Sequence, residues 1–123
     1  MKTSTAHQAQ QVVCVVDWEI SACEHKRAYA RVKLSISGKE KETQAVKDGV
    51  VSALFHAVKS LTGHNGALSS YRVVNEVSGD ESNASVVVTI TIADKSYTGE
   101  AEDGDTARAT LLAVVDAVNA YAN

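Results

Sequence analysis

The chain has 123 residues, 45% of them apolar and 22% charged, which is the balance of one ordinary globular domain and too short for a large barrel or a doubly wound enzyme. A formal charge of −3 with no run of Lys and Arg argues against a nucleic-acid partner. Only 5% of the residues are aromatic and none is proline, so the core has to be built from Val, Ala, Leu and Ile.

Residues 1–11 are polar and read as a flexible N-terminal tail, not as a signal peptide. A single domain is expected over 12–123. No stretch approaches the roughly 20 apolar residues that a membrane span requires. Two cysteines, Cys14 and Cys23, do not make a disulfide framework, and a cytoplasmic chain with reduced thiols is the expectation.

The first element is a dense β-branched run from Val12 to Glu19, bounded by the polar segment Ser21 to Arg27. Val12, Val13, Val15 and Val16 make that strand apolar on both faces, which predicts cover on both sides or a subunit interface. Ala28 to Ile36 alternates, with Ala30, Val32, Leu34 and Ile36 against Tyr29, Arg31, Lys33 and Ser35, as a half-buried strand does. Ser37-Gly38-Lys39 signals a tight turn, and Lys41 to Val46 should pair back as a hairpin. The period then changes. Val51, Leu54, Phe55, Val58 and Leu61 share one face of a helix over about 49–62, with Asp48 as its N-cap and Gly63 as its stop.

The order repeats. Leu68 to Val77 is a strand, Ser78 to Ala84 a polar loop, and Ser85 to Ala93 an alternating strand. Asp94-Lys95 turns, and Ser96 to Ala101 returns. The last helix runs from about Asp105, its N-cap, to Tyr121, with Leu111, Val114, Val115 and Val118 buried. Short matches support a duplication. Leu34-Ser35-Ile36 recurs as Ile90-Thr91-Ile92, and Ala53 to Val58 recurs as Ala109 to Val114, both at one and the same offset. Val15-Val16-Asp17 and Val73-Val74-Asn75 stand close to that offset. The predicted fold is α+β: two duplicated βββα units in a pseudo-twofold arrangement, about 12–63 and 67–122, with two helices packed on antiparallel sheets. Neither unit can bury a core alone, and homodimerisation is a natural consequence.

Catalytic chemistry finds little support. Cys23-Glu24-His25 offers potential ligands, but zinc sites normally take a second pair at defined spacing, and none is present. His56 lies on a helix, and His64 in the glycine-flanked Thr62-Gly63-His64-Asn65-Gly66 connection, where ordinary structural roles suffice. No nucleophile elbow or phosphate-cradling glycine motif occurs. No catalytic residue, metal or cofactor is therefore expected. The two strand-to-helix junctions, Lys47-Asp48-Gly49-Val50 and Glu102-Asp103-Gly104-Asp105, are the better candidates for a site. Free N–H groups at a helix start suit a carboxylate and nearby acids suit an ammonium. Helix capping explains the same residues equally well.

Three stretches carry a family resemblance. Asp48-Gly49-Val50-Val51-Ser52-Ala53-Leu54 is similar to an N-G-P-V-D-A-hydrophobic helix start, although Val50 replaces the proline and Ser52 the acid. Leu68-Ser69-Ser70-Tyr71-Arg72-Val73 is similar to an L-x-x-Y-x-V strand, and Tyr97 to Thr110 to a Y-x-G-x-G-x-S-x-D-I-I-x-A-S segment. In this order they resemble, from about Thr43 onward, the C-terminal regulatory (dimerisation) domain of α-isopropylmalate synthase and its citramalate synthase relatives. The resemblance implies paired βββα units that dimerise and bind a leucine-like end product as a feedback inhibitor, with the catalytic barrel on a separate domain. It implies an effector pocket of Leu68 and Tyr71 with Asp105 at the second helix start, and of Gly49, Val51 and Ala53 at the first. Asn75 joins them as a polar group where the family more often has an apolar one. The chain is then a non-enzymatic regulatory module, free-standing, partnered by a synthase catalytic subunit, or excised from a longer synthase. The alternative is a dimerisation or protein-interaction module that has lost its effector.

Overall fold

The computed structural model describes residues 12–78 and 81–122; the tail expected over 1–11 and the Gly79-Asp80 turn lie outside the described residues. The elements are β1 (Val13–Ala22), β2 (Ala28–Ile36), β3 (Lys39–Lys47), α1 (Val50–Thr62), β4 (Ala67–Ser78), β5 (Glu81–Ile92), β6 (Lys95–Asp103) and α2 (Thr106–Ala122). They form two antiparallel three-stranded sheets, β1-β2-β3 and β4-β5-β6, in an α+β arrangement. Helix α1 packs on β2 and β3, and α2 on β5 and β6; α2 also touches α1 and β1.

The duplication holds to the residue in the hairpins. Ala28 pairs with Lys47 and Ile36 with Lys39; at the offset of the sequence repeat, Ala84 pairs with Asp103 and Ile92 with Lys95. Each hairpin turns through two residues at positive φ, Ser37 and Gly38 in one unit and Ala93 and Asp94 in the other. Such two-residue loops match the strand twist, so pairing starts at once. That is why β3 and β6 begin at Lys39 and Lys95, earlier than the expected Lys41 and Ser96. Strand β5 likewise reaches back to Glu81, and the loop expected over Ser78 to Ala84 is largely strand.

The first strands of the two units follow a shorter offset. Val15 pairs with Leu34 and Leu68 with Ile90, which makes Val15 and Leu68 counterparts. The expected equivalence of Val15-Val16-Asp17 with Val73-Val74-Asn75 is therefore wrong. Both strands carry a β-bulge at the same place, between Val15 and Asp17 and between Leu68 and Ser70. A bulge inserts one unpaired residue and resets which side chains face inward. Val13, Val15, Trp18 and Ile20 thus lie opposite the inward-facing Ile36, Leu34, Val32 and Ala30, while Val16 is 44% exposed. The run Val12–Val16 is not apolar on two faces of a regular strand; one of its valines is the bulge.

The core is aliphatic, as the composition requires. Leu34, Leu54, Ile90, Leu111, Val32, Val58, Val86, Val88 and Val114 are fully buried. On α1 the buried face is Ala53, Leu54, Ala57 and Val58, with Val51, Phe55 and Leu61 only partly covered. The four α2 residues expected to be buried are buried, together with Ala109, Thr110, Ala113, Ala117 and Asn119. Contact with β5, β6, α1 and β1 explains the enclosure of α2 on more sides than one stripe.

Two contacts fix α2. At Gly99 of β6, an added Cβ would strike the carbonyl oxygen of Ala113 and the backbone nitrogen of Ala117. The helix backbone lies directly on the strand there, and only glycine fits. In the other unit the corresponding strand residue, opposite Val32 as Gly99 is opposite Val88, is Thr43. At the other end, Asn119 Oδ1 accepts the Val13 N–H at 2.8 Å and its Nδ2 donates to the Val13 carbonyl at 2.8 Å. Both backbone groups belong to the open edge of β1, and Val13 is 2% exposed.

Gly99→Ala should destabilise the fold by about 2–3 kcal/mol in urea unfolding, whereas Thr43→Ala should cost no more than about 1 kcal/mol. Asn119→Ala should cost about 2–4 kcal/mol, because it strands a buried N–H and a buried carbonyl together.

Candidate functional site

The structure divides the seven expected effector residues into two groups. Leu68, Tyr71 and Asn75 lie opposite Ile90, Val88 and Ala84 of β5, whose side chains face α2. Leu68 and Tyr71 are an odd number of positions apart and still share a face because the bulge sits between them. Asn75 pairs with Ala84 farther along the strand, and its side chain lies outside the described residues. Its cross-strand partner Ala84 pairs in turn with Asp103, at the end of the sheet from which α2 starts, and Asp105 stands at that start.

Tyr71 is tied to this helix. Its hydroxyl lies 2.9 Å from Thr110 Oγ1, and Thr110 donates its own proton to the Thr106 carbonyl at 2.9 Å. The Tyr71 O–H is therefore the donor. Thr110 is 1% exposed, so this is a buried polar link between β4 and the first turns of α2. Thr110 is not among the expected site residues. Its place beside the buried Leu111 gives no sign of a strand partner 39 residues away.

The start of α2 is closed by its own side chains. Asp105 Oδ1 accepts from the N–H groups of Ala107 at 2.9 Å and Arg108 at 3.4 Å, as an N-cap does. Asp103 accepts from the Asp105 N–H at 2.9 Å and pairs with the Arg108 guanidinium. These bonds, the Asp105 N–H first and Arg108 after it, hold the Asp103 carboxyl below the usual carboxylate range.

Gly49, Val51 and Ala53 form the second group, at the start of α1 in the other unit. The N-cap is Gly49 and not Asp48. The chain leaves β3 after Lys47 and turns into the helix with φ +103 at residue 49, a conformation glycine adopts without strain. Asp48 is left exposed, 3.9 Å from Arg27 Nε. No side chain caps the first turn of α1, and the space around Gly49 is open. Val51 is partly covered and Ala53 fully buried. Helix α1 lies against β2, β3 and α2 and makes at most a marginal contact with β4. No hydrogen bond or ion pair among the described residues joins the two groups.

A cleft of about 350 Å³ opens elsewhere, between β1, β6 and α2, lined by Val15, Glu100, Arg108, Leu112, Val115 and Asp116 among others. None of the seven expected residues lines it. Asp116 accepts the outward Glu100 N–H at 3.0 Å on one wall, as Asn119 closes the β1 edge on the other. Asn119 has a signal in the sequence, since it continues the helical spacing of Leu111 and Val115 with a polar side chain. His56 is exposed on α1, and His64 is buried. Among the described residues no cluster of His, Cys, Asp and Glu could hold a metal ion, and no helix is long and apolar enough to cross a membrane.

Two bulged βββα units, one with a closed and one with an open helix start, make a duplicated α+β domain. Comparison with known proteins agrees: residues 1–122 match the LeuA allosteric (dimerisation) domain, and the chain belongs to that family. The match includes the first three strands, where the sequence motifs supplied only a strand pattern. The chain is 33% identical over 90 residues to a 2-isopropylmalate synthase of Caulobacter sp. (strain K31), covering 73% of this chain and 17% of that protein. It is 31% identical over 105 residues to that of Afipia carboxidovorans, covering 85% and 20%. With that of Rhodopseudomonas palustris (strain BisA53) it shares 30% over 112 residues, or 91% and 22%. The chain thus spans about a fifth of the length of the curated relatives it matches.

Tyr71→Phe should cost about 1 kcal/mol in equilibrium unfolding, because Thr110 keeps its bond to the Thr106 carbonyl and only the tyrosine hydroxyl is lost. A cost of several kcal/mol would place a larger network on that hydroxyl.

Proposed function

We propose that the chain is a non-catalytic, homodimeric, cytoplasmic regulatory module that binds a leucine-like amino acid. The observation that carries this reading is the family match over residues 1–122, within a chain that spans only about a fifth of the synthases it resembles. The effector set is Gly49, Val51, Ala53, Leu68, Tyr71, Asn75 and Asp105. The uncapped α1 start supplies backbone N–H groups for a carboxylate, and the acids at the α2 start suit an ammonium. The partly covered Leu68 and Tyr71 supply apolar surface. Burying a leucine side chain contributes about 2 kcal/mol, so the charged ends must provide most of the roughly 8 kcal/mol of micromolar binding. The module acts on a synthase catalytic domain, within the same chain or as a separate partner.

Homodimerisation draws support from two matching apolar strips. Each helix covers the second and third strands of its unit and leaves much of the first strand uncovered. Trp18 and Ile20 on β1, and Leu68, Tyr71 and Val73 on β4, are partly exposed as a result. A second copy of the chain can cover both strips, which lie at equivalent places in the two units. The rival reading, a dimerisation module without effector, has in its favour that Asp105 already spends an oxygen on capping its own helix.

A thermal-shift panel of the twenty amino acids separates the two. A branched-chain amino acid at 100 times its Kd should stabilise the fold by about 2.7 kcal/mol, and light scattering should give a dimer at micromolar concentration. A dimer indifferent to every amino acid selects the effectorless module, and a monomer contradicts both readings.

A further inference from the structure

His64 stands in the short connection between α1 and β4, where the first unit hands over to the second. It is 6% exposed. Its Nδ1 accepts the Gly66 N–H at 3.0 Å, so the ring proton resides on Nε2. Nε2 is buried and has no hydrogen-bond partner among the described residues. The ring meets Phe55 of α1 edge-on, with centroids 5.6 Å apart. Gly66, on the other side of the bond, is packed so tightly on β5 that an added Cβ would come within 2.6 Å of Ile90 and Ile92. One imidazole therefore links the first unit's helix to the second unit's sheet.

We propose that His64 is an acid-sensitive latch at this joint, holding the two units together when neutral and loosening them when protonated. A second proton can enter only at Nδ1, whose lone pair already holds the Gly66 N–H. Protonation turns that acceptor into a donor facing another donor, and the bond is lost. It also places a positive charge among Phe55, Ile90 and Ile92 with nothing to compensate it. The charged group acting on the ring is Lys59 of α1, of the same sign; the β5 side chains nearest Gly66 are Ile90 and Ile92, and no carboxylate pairs with the ring among the described residues. Burial first, and Lys59 second, accordingly push the His64 pKa below its ordinary 6.5.

The sign follows from linkage. The unfolded chain takes up the proton near pH 6.5 and the folded chain only at lower pH, so the contribution of His64 is complete above 6.5 and fades as pH falls below it. Asp17, held low by its bond to Arg31, and Asp103 lose their contributions only below the ordinary carboxylate pKa of 3.8. Neither of these two contributions changes between pH 7.5 and 5.0.

The test is urea unfolding of the natural protein and of His64→Asn, followed by the single tryptophan, Trp18, at pH 7.5 and 5.0. Asparagine can accept the same N–H two residues on, and it does not titrate. The unfolding constant of the natural protein should rise relative to the variant's on going to pH 5.0, by up to about thirtyfold, the limit set by an unfolded pKa of 6.5. The imidazole proton resonance that disappears in the variant should titrate below 6.5. Parallel pH dependence in the two proteins, or a resonance titrating at or above 6.5, overturns the latch. If His64→Asn does not fold, the remaining titration resonances are assigned by His7→Gln, His25→Gln and His56→Gln, and the same criterion applies.

Discussion

The two hydrogen bonds between Asn119 and the Val13 backbone are the constraint on which the joined body depends. Each βββα unit is about fifty residues long and buries too little surface for secure independence. Something must bind the sheets into one core, and the open edge of β1 must not be left to solvent or to another strand. At Val13 Asn119 serves both needs, since it belongs to the helix of one unit and grips the first strand of the other. Its counterpart in the first unit, at the offset the hairpins follow, is Gly63, which adopts the left-handed conformation and ends α1. The duplication is broken at this position. Where α1 stops after 13 residues, α2 runs on to 17, and the added turn carries the clamp.

The same asymmetry explains the packing of the two helices. With Gly99 beneath it, α2 settles directly on β6; Thr43 stands at the corresponding place under α1. Helix α2 is enclosed on several sides, whereas α1 keeps Phe55, Leu61 and Val51 partly open. A duplicated sequence has thus become one structural half and one half with room for contacts, and the open start of α1 at Gly49 is part of that difference.

Regular alternation makes β2 and both hairpins legible in the sequence, because a period of two and a pair of turn residues are local features. The bulges are not legible. An inserted residue such as Val16 or Ser69 has no side-chain signature, yet it moves every later residue of its strand to the other face. Sequence matching pairs the first strands with the wrong counterparts because the chain between partner residues, from Val15 to Leu34 and from Leu68 to Ile90, differs in length between the units, which shifts the offset of the first strands alone. Asp48 misleads for a related reason: its capping chemistry is ordinary, but the backbone needs a positive φ one residue later. At the site, the motif around Leu68 and Tyr71 marks residues that do share a face. It does not reveal Thr110, nor the bond that ties Tyr71 to it. That link arises from how α2 crosses the sheets, and no local pattern encodes it.

Native-state hydrogen exchange across a urea series addresses the joined core most directly. If Asn119 and α2 make the two units one cooperative body, the slowest amides of β2 and β5 and the Val13 amide exchange through a single opening with one free energy and one urea dependence. Exchange of β2 and Val13 through a smaller, separate opening, while β5 stays protected, would show two units that merely lie side by side.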